Sequence, residues 1–205
     1  MYRPSYSVNE NIDLSFQLIQ DFPLGLMISE SSGLIETNYL PFLIFKEQDE
    51  IYLLTHLARA NPHWKSLSSE VVISFLGPNS YVSPTIYVGK SNVPTWSYAA
   101  IEIRGSVKII SDGQELKEML HRTVDAFETK NQTEWSYDLP EKMQKNLESA
   151  LVGLKIKVTN LESKFKLSQN RNVEDYTAVL KHFSESSSHK DKEISEWMLK
   201  APRQE

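Results

Sequence analysis

The sequence predicts a mainly β protein of the α+β class: a small antiparallel barrel with helices at its ends. Roughly six or seven strand-like runs, bounded by turn signals, fill the first half of the chain and return near residue 155. They do not alternate with helices as a doubly wound parallel sheet requires. Helical periodicity is confined to the start of the chain and to its second half.

Ile12, Phe16 and Ile19 recur at helical spacing, and Phe22-Pro23 ends that first helix. A strand-like run over 23–28 reaches the Ser31-Ser32-Gly33 turn, and a longer one over 34–45 follows. The acidic stretch 47–50 marks a turn before a strand over 51–55. Residues 59–69 are polar, whereas 71–76 are rich in β-branched side chains. Gly77-Pro78-Asn79 reads as a turn into a strand over 81–88. Over 98–110, Ala100, Glu102, Arg104 and Ser106 alternate with apolar partners.

The period then changes. Asp112-Gly113-Gln114-Glu115 is a capping-box-like start, and Leu116, Met119, Leu120 and Phe127 form a helical stripe. A shorter helix is expected over 140–151, with Pro140 in its first turn and Gly153 at its end. Leu154, Ile156 and Val158 alternate with lysines, a strand over 153–158. Asn172 opens a helix carrying Tyr176, Val179, Leu180 and Phe183. A Ser- and Lys-rich loop over 184–192 precedes a last short helix with Ile194, Trp197 and Met198. The expected organisation is one domain over 1–183 followed by a C-terminal loop and helix over 184–205.

Composition removes several chemistries. The 205 residues include no cysteine, which excludes disulfides, iron–sulfur clusters, thiolate zinc sites and cysteine nucleophiles. No apolar stretch approaches the roughly 18–20 residues that span a bilayer, and residues 1–11 lack a signal-peptide pattern. A soluble cytoplasmic protein is therefore expected. A net charge of −5 does not favour nucleic acid. The one basic run, 155–171, holds Lys155, Lys157, Lys164, Lys166 and Arg171 against Glu162 alone, and is a weak candidate for a DNA face.

Three segments can carry chemistry. In residues 56–65, Arg59, Asn61 and Lys65 are suitable phosphate ligands: a bidentate guanidinium, an amide donor and a point charge. A solvated turn opening a short helix accounts for the same residues. His56 and His63 stand seven apart, about two helical turns, too far for a shared metal, and no metal site is expected. The second segment is the aromatic pair of stretches 81–87 and 93–98, suited to holding a planar ring or simply to packing. The third, 164–171, crowds charged and amide donors before a helix N-terminus, an anion-attracting arrangement or a solvated basic turn. Glycine-rich phosphate loops, GxSxG and HExxH are absent from the sequence.

Taken together, His56-Leu57-Ala58-Arg59-Ala60-Asn61-Pro62, Gly77-Pro78 with Tyr81-Val82-Ser83-Pro84, Val93-Pro94-Thr95-Trp96 and Lys166-Leu167-Ser168-Gln169-Asn170-Arg171 resemble the PaiB-type FMN-binding regulators in order and spacing. Met1-Tyr2-Arg3-Pro4 also looks like that family's start. The resemblance implies an FMN-binding split β-barrel of the pyridoxamine-phosphate-oxidase-like kind, a homodimer with flavin at the subunit interface, and a negative transcriptional regulator linked to protease synthesis and sporulation. It places the flavin phosphate near His56, Arg59, Asn61 and Lys65. Trp96 and Tyr98 would lie near the ring or dimer seam, and Lys166, Gln169 and Asn170 would close the site. The chain departs from the family at Ile86, Ser97, Asn38-Tyr39 and Phe165, which touches ring contacts more than phosphate contacts. A flavin-dependent oxidoreductase and a flavin-free dimeric scaffold are the alternative functions.

Overall fold

The computed structural model describes residues 1–111, 113–201 and 203, so Asp112 of the expected capping box lies outside the described residues. The elements run β1 (Val8–Asn9), α1 (Ile12–Asp21), β2 (Leu24–Ser31), β3 (Leu34–Pro41), β4 (Leu43–Glu47) and β5 (Glu50–Ala58). They continue through α2 (His63–Ser66), β6 (Glu70–Val82), β7 (Thr95–Ile110), α3 (Gly113–Lys130) and α4 (Glu141–Ala150). The chain ends with β8 (Leu151–Lys166), α5 (Val173–Ser184) and α6 (His189–Lys200). The strands form an antiparallel sheet in the order β3-β2-β6-β7-β8-β5-β4, with β1 paired to β8. Flanking helices complete the mainly β fold that the sequence predicts.

Contacts group the chain into two compact units. The first comprises Met1–Phe22, Phe75–Glu102 and Glu162–Glu205; the second comprises Pro23–Ser74 and Ile103–Leu161.

In the second unit, β2 and β3 form a hairpin in continuous register from Leu24↔Pro41 to Ser31↔Leu34. The apolar run expected over 34–45 is two strands rather than one. Phe42 separates them, 1% exposed, with its amide bonded to the Pro23 carbonyl at 2.9 Å. β5 pairs with β8 from Tyr52↔Lys157 to Ala58↔Leu151. The stripe on α3 folds as expected: Leu116, Met119 and Leu120 pack with Leu54 and Ile110. Gly153, expected to end a helix, instead lies within β8, where a Cβ would sit 2.5 Å from Met119 Cε. It admits the α3 side chains to the strand.

In the first unit, Asn11 caps α1 by accepting from the Asp13 and Leu14 amides at 3.0 and 3.2 Å. Leu18 and Ile19 of that helix are fully buried. Gly77-Pro78-Asn79 does not turn; β6 runs straight through it. A Cβ at Gly77 would meet Leu18 Cδ1 at 2.6 Å, so this glycine serves close packing. The second half of the strand expected over 81–88 is a 3₁₀ turn, Pro84–Ile86, started by the Ser83 side chain. β8 outruns its expected end at 158, because burial resumes at Ser163 and Phe165. Residues 189–200 are anchored: Trp197 meets Phe165 edge-on at 5.7 Å, and the Tyr176 hydroxyl donates to the Met198 carbonyl at 2.8 Å. Burying Ile194, Trp197 and Met198 contributes about 1.5–3 kcal/mol per side chain, and all three are 2% exposed or less.

Among the described residues, no helix is long and apolar enough to cross a membrane, and no group of three His, Cys, Asp or Glu is placed to hold a metal.

Candidate functional site

The predicted site residues fall into both units. His56, Arg59, Asn61 and Lys65 belong to the second, and Trp96, Tyr98, Lys166, Gln169 and Asn170 to the first.

In the second unit β5 ends at Ala58, and the Arg59 amide bonds to the Ala150 carbonyl at 2.7 Å. The Arg59 guanidinium is committed to backbone. Its Nε donates to the Ser149 carbonyl at 2.8 Å, and its Nη2 donates to the Leu151 carbonyl at 2.9 Å and to that of Ser111. Arg59 therefore ties the end of β5 to the α4–β8 junction, and the sequence cannot show this because the acceptors are carbonyls far along the chain. Asn61 is equally engaged. Its Nδ2 donates to Asn38 Oδ1 at 2.9 Å, and its Oδ1 accepts from the His63 amide at 3.0 Å.

These contacts continue inward. Because Asn38 Oδ1 takes the Asn61 proton, Asn38 Nδ2 faces His63 Nδ1 at 2.5 Å as the donor. His63 Nε2 then carries the ring proton toward Ser29 Oγ, 2.6 Å away. His63 is 1% exposed, and burial lowers its pKa, opposed by the charge of Glu36. The imidazole is a neutral structural group, not a base for Ser29. His56 is also lowered by burial, and its Nδ1 has no hydrogen-bond partner. Lys65 lies over the Trp64 ring, 5.4 Å from its centroid.

The first unit holds a cleft of about 180 Å³ where the start of β7, the end of β8 and the following loop meet. Trp96, Lys166 and Asn170 line it, together with Tyr87, Thr95 and Arg171. Lys166 Nζ donates to Thr95 Oγ1. Arg171 Nη1 donates to Asn92 Oδ1 at 2.9 Å, and its guanidinium lies 4.7 Å from the Tyr87 ring centroid. Behind it, Asn92 Nδ2 reaches Asp175 Oδ2 at 3.3 Å, while Asp175 Oδ1 accepts from the Val88 and Gly89 amides at 2.8 and 3.0 Å. The Gly89 N–H is the main cause that lowers the Asp175 pKa, with Asn92, Val88 and the Arg171 charge adding to it. Tyr87 is 7% exposed and its hydroxyl has no hydrogen-bond partner. Such a buried orphan costs about 1–3 kcal/mol.

Gln169 and Tyr98 are not among the residues lining the cleft. Gln169, 4% exposed, holds the loop instead: its Oε1 accepts from the Leu167 amide at 2.7 Å and its Nε2 donates to the Phe165 carbonyl at 2.5 Å. Tyr98 lies beneath Lys164, 5.5 Å from ring to ammonium. Sequence reasoning quoted Arg171 and Tyr87 within motifs but did not choose them, and it passed over Asp175. The one available signal was Arg171 closing the 166–171 run. Of the basic run, Lys155 and Lys157 pair with Glu47 and Glu50.

Comparison with known proteins agrees with this geometry in class. Among solved structures, the flavocytochrome Anf3 from Azotobacter vinelandii superposes with a TM-score of 0.59 at 16% identity, covering 86% of this chain and 78% of that one. The FAD and heme binding protein from Mycobacterium smegmatis gives 0.57 at 15% identity, covering 78% and 73%. The fold is thus the split β-barrel that these solved structures share. Residues 1–160 match the family described as "Putative FMN-binding domain". The "Protease synthase and sporulation protein PAI 2" of Bacillus subtilis (strain 168) is 30% identical over 97% of this chain and 96% of its own length. The protein AN0679 of Emericella nidulans is 27% identical over 89% and 90%. The chain belongs to this FMN-binding domain family, alongside the PaiB-type proteins.

FMN combines a phosphate monoester, a polyol chain and a three-ring isoalloxazine. The first-unit cleft suits the polar end: its lining includes two cations, Lys166 and Arg171, five hydroxyl-bearing residues and the Asn170 amide. At about 180 Å³ it is smaller than the roughly 300–1,000 Å³ of drug-sized sites. Were FMN seated here, its ring would extend beyond the cleft.

Proposed function

We propose that this chain is a cytoplasmic PaiB-like FMN-binding protein that acts in regulation, as a homodimer whose second copy covers the exposed flavin. The observation that carries the reading is convergence: Trp96 from the start of β7 and Lys166 and Asn170 from the end of β8 and the following loop line one cleft beside Arg171. The family match names the flavin nucleotide those side chains suit. Bound FMN supplies a redox-active ring, and the residues of this chain supply its charge neutralisation and orientation. Pairing of Lys155 and Lys157 with carboxylates favours regulation through a partner over a grip on duplex DNA by the 155–171 run.

The test is a visible spectrum of the purified protein and its melting temperature with and without FMN. A ligand bound only by the folded state stabilises it by about 2.7 kcal/mol at a hundredfold excess over Kd. A flavin spectrum or an upward shift, weakened in Lys166→Met, is expected. A colourless protein with no shift overturns the reading.

A further inference from the structure

We propose that a second cleft, of about 290 Å³, where α3 of the second unit meets β4, β5 and β8, binds a free amino acid with an apolar side chain. It shares no lining residue with the first-unit cleft, and the inference does not rest on the flavin reading. Its floor is apolar. Leu54, Ile110 and Met119 are 4–5% exposed and belong to the core cluster of this unit, and Phe45 packs against that cluster. At about 290 Å³ the cleft stands at the lower bound of the roughly 300–1,000 Å³ of drug-sized sites, which suits a single amino acid and not a nucleotide or a peptide.

The charges on the rim select the ligand. Glu47 pairs with Lys155 at 3.0 Å, and Glu115 pairs with Lys108 at 2.5 Å, so three of the five charged lining residues are neutralised within the protein. Glu118 and Arg122 remain. They stand at i and i+4 on α3, with the carboxylate N-terminal to the cation, the spacing at which such side chains ordinarily pair. Here they form no ion pair with each other or with any other described residue. The Arg122 guanidinium lies instead over the Phe45 ring, 3.6 Å from its centroid, and Phe45 stacks on Tyr52 at 5.6 Å. That contact fixes the cation and leaves its N–H donors uncommitted. Glu118 accepts only from the neutral Gln114 amide, at 3.0 Å. One uncompensated cation and one uncompensated carboxylate beside an apolar floor are the complement of a zwitterion with an apolar tail. The α-carboxylate bonds to Arg122, the α-ammonium to Glu118, and the side chain covers Leu54, Ile110 and Met119. A simple carboxylate leaves Glu118 unanswered, and an amine leaves Arg122 so. On the regulatory reading, such a site supplies an input from the free amino-acid pool.

The experiment titrates the full chain, with FMN present, by calorimetry. The probes are L-leucine, L-methionine and L-phenylalanine, with glycine as the control that lacks an apolar tail. At least one of the three is expected to bind at millimolar concentration or below, and glycine about tenfold or more weakly. Arg122→Met and Glu118→Gln each weaken that amino acid about tenfold, the loss of one charge-assisted contact, while flavin affinity stays that of the wild type. Two derivatives of the same amino acid separate the roles. The N-acetyl form, which lacks the ammonium, is insensitive to Glu118→Gln, and the amide, which lacks the carboxylate, is insensitive to Arg122→Met. No binding by any of the three overturns the site, whether or not FMN binds, and so does affinity that survives either variant unchanged. An N-acetyl form or an amide that binds as tightly as the free amino acid overturns the zwitterion. Flavin affinity that falls in both variants assigns the cleft to the flavin and overturns the proposal as well. Failure of the flavin reading shows separately, as a colourless protein that FMN does not stabilise.

Discussion

Arg59 and His63 show how a residue's neighbours redirect its chemistry. A guanidinium following a strand reads as an anion ligand, yet here its donors satisfy carbonyls of Ser149, Leu151 and Ser111. Arg59→Met orphans those acceptors and is expected to cost about 1.5–3 kcal/mol of stability in urea unfolding. Lysine at this position cannot reproduce the fork, so Arg59→Lys should recover little of the loss. His63 makes a pH prediction. Burial lowers its folded pKa below the ordinary histidine value of 6.5, so the unfolded chain binds more protons between the two values. Its contribution to stability is complete above about pH 6.5 and is lost as pH falls through the folded value. Urea midpoints followed from pH 8 to pH 5 should drop in the wild type and drop less in His63→Asn. An unchanged slope in that variant assigns the titration to His56, which burial lowers too.

At the scale of elements, close approach separates two glycines. A Cβ at Gly105 of β7 would stand 2.6 Å from the Lys157 carbonyl oxygen, which is backbone and cannot move without opening the sheet. One at Gly153 would meet the tip of Met119 at 2.5 Å and Leu116 Cδ1 at 3.1 Å, the ends of side chains able to shift. Gly105→Ala should therefore destabilise by about 2 kcal/mol or more and Gly153→Ala by less, compared by thermal unfolding. The same effect limited what the sequence revealed. Alternation disclosed β7 and the start of β8, strand-like runs between turn signals disclosed β2 and β5, and the stripe of Leu116, Met119 and Leu120 disclosed α3, because the signal there is local. Gly77-Pro78 misled because its glycine is present for Leu18, a contact no local pattern encodes. Site residues obey the same rule. Lys166 and Asn170 were legible because cations and amides cluster in one run. Tyr87 was not, since only its missing hydrogen-bond partner sets it apart from a core tyrosine.

At the scale of the molecule, the proposed dimer has a measurable consequence. On that reading a cleft of about 180 Å³ would leave the flavin ring beyond its walls, where a second chain would cover it. In the second unit, Ile35 and Tyr39 on β3 and Leu24 on β2 are 72%, 69% and 60% exposed. Ile35 and Tyr39 are four apart on an extended strand and share a face of it. An exposed apolar face of this kind on an edge strand is a place for association. If the second copy lies on it, Tyr39→Glu places a carboxylate in that contact and should shift sedimentation equilibrium toward monomer. If the dimer shares the flavin, FMN affinity should fall with the dimer and recover as protein concentration is raised, by mass action. A Tyr39→Glu protein that is monomeric yet binds FMN as the wild type does would show that one chain suffices. The ring would then be held without a partner, and the homodimer reading would fail while FMN binding stood.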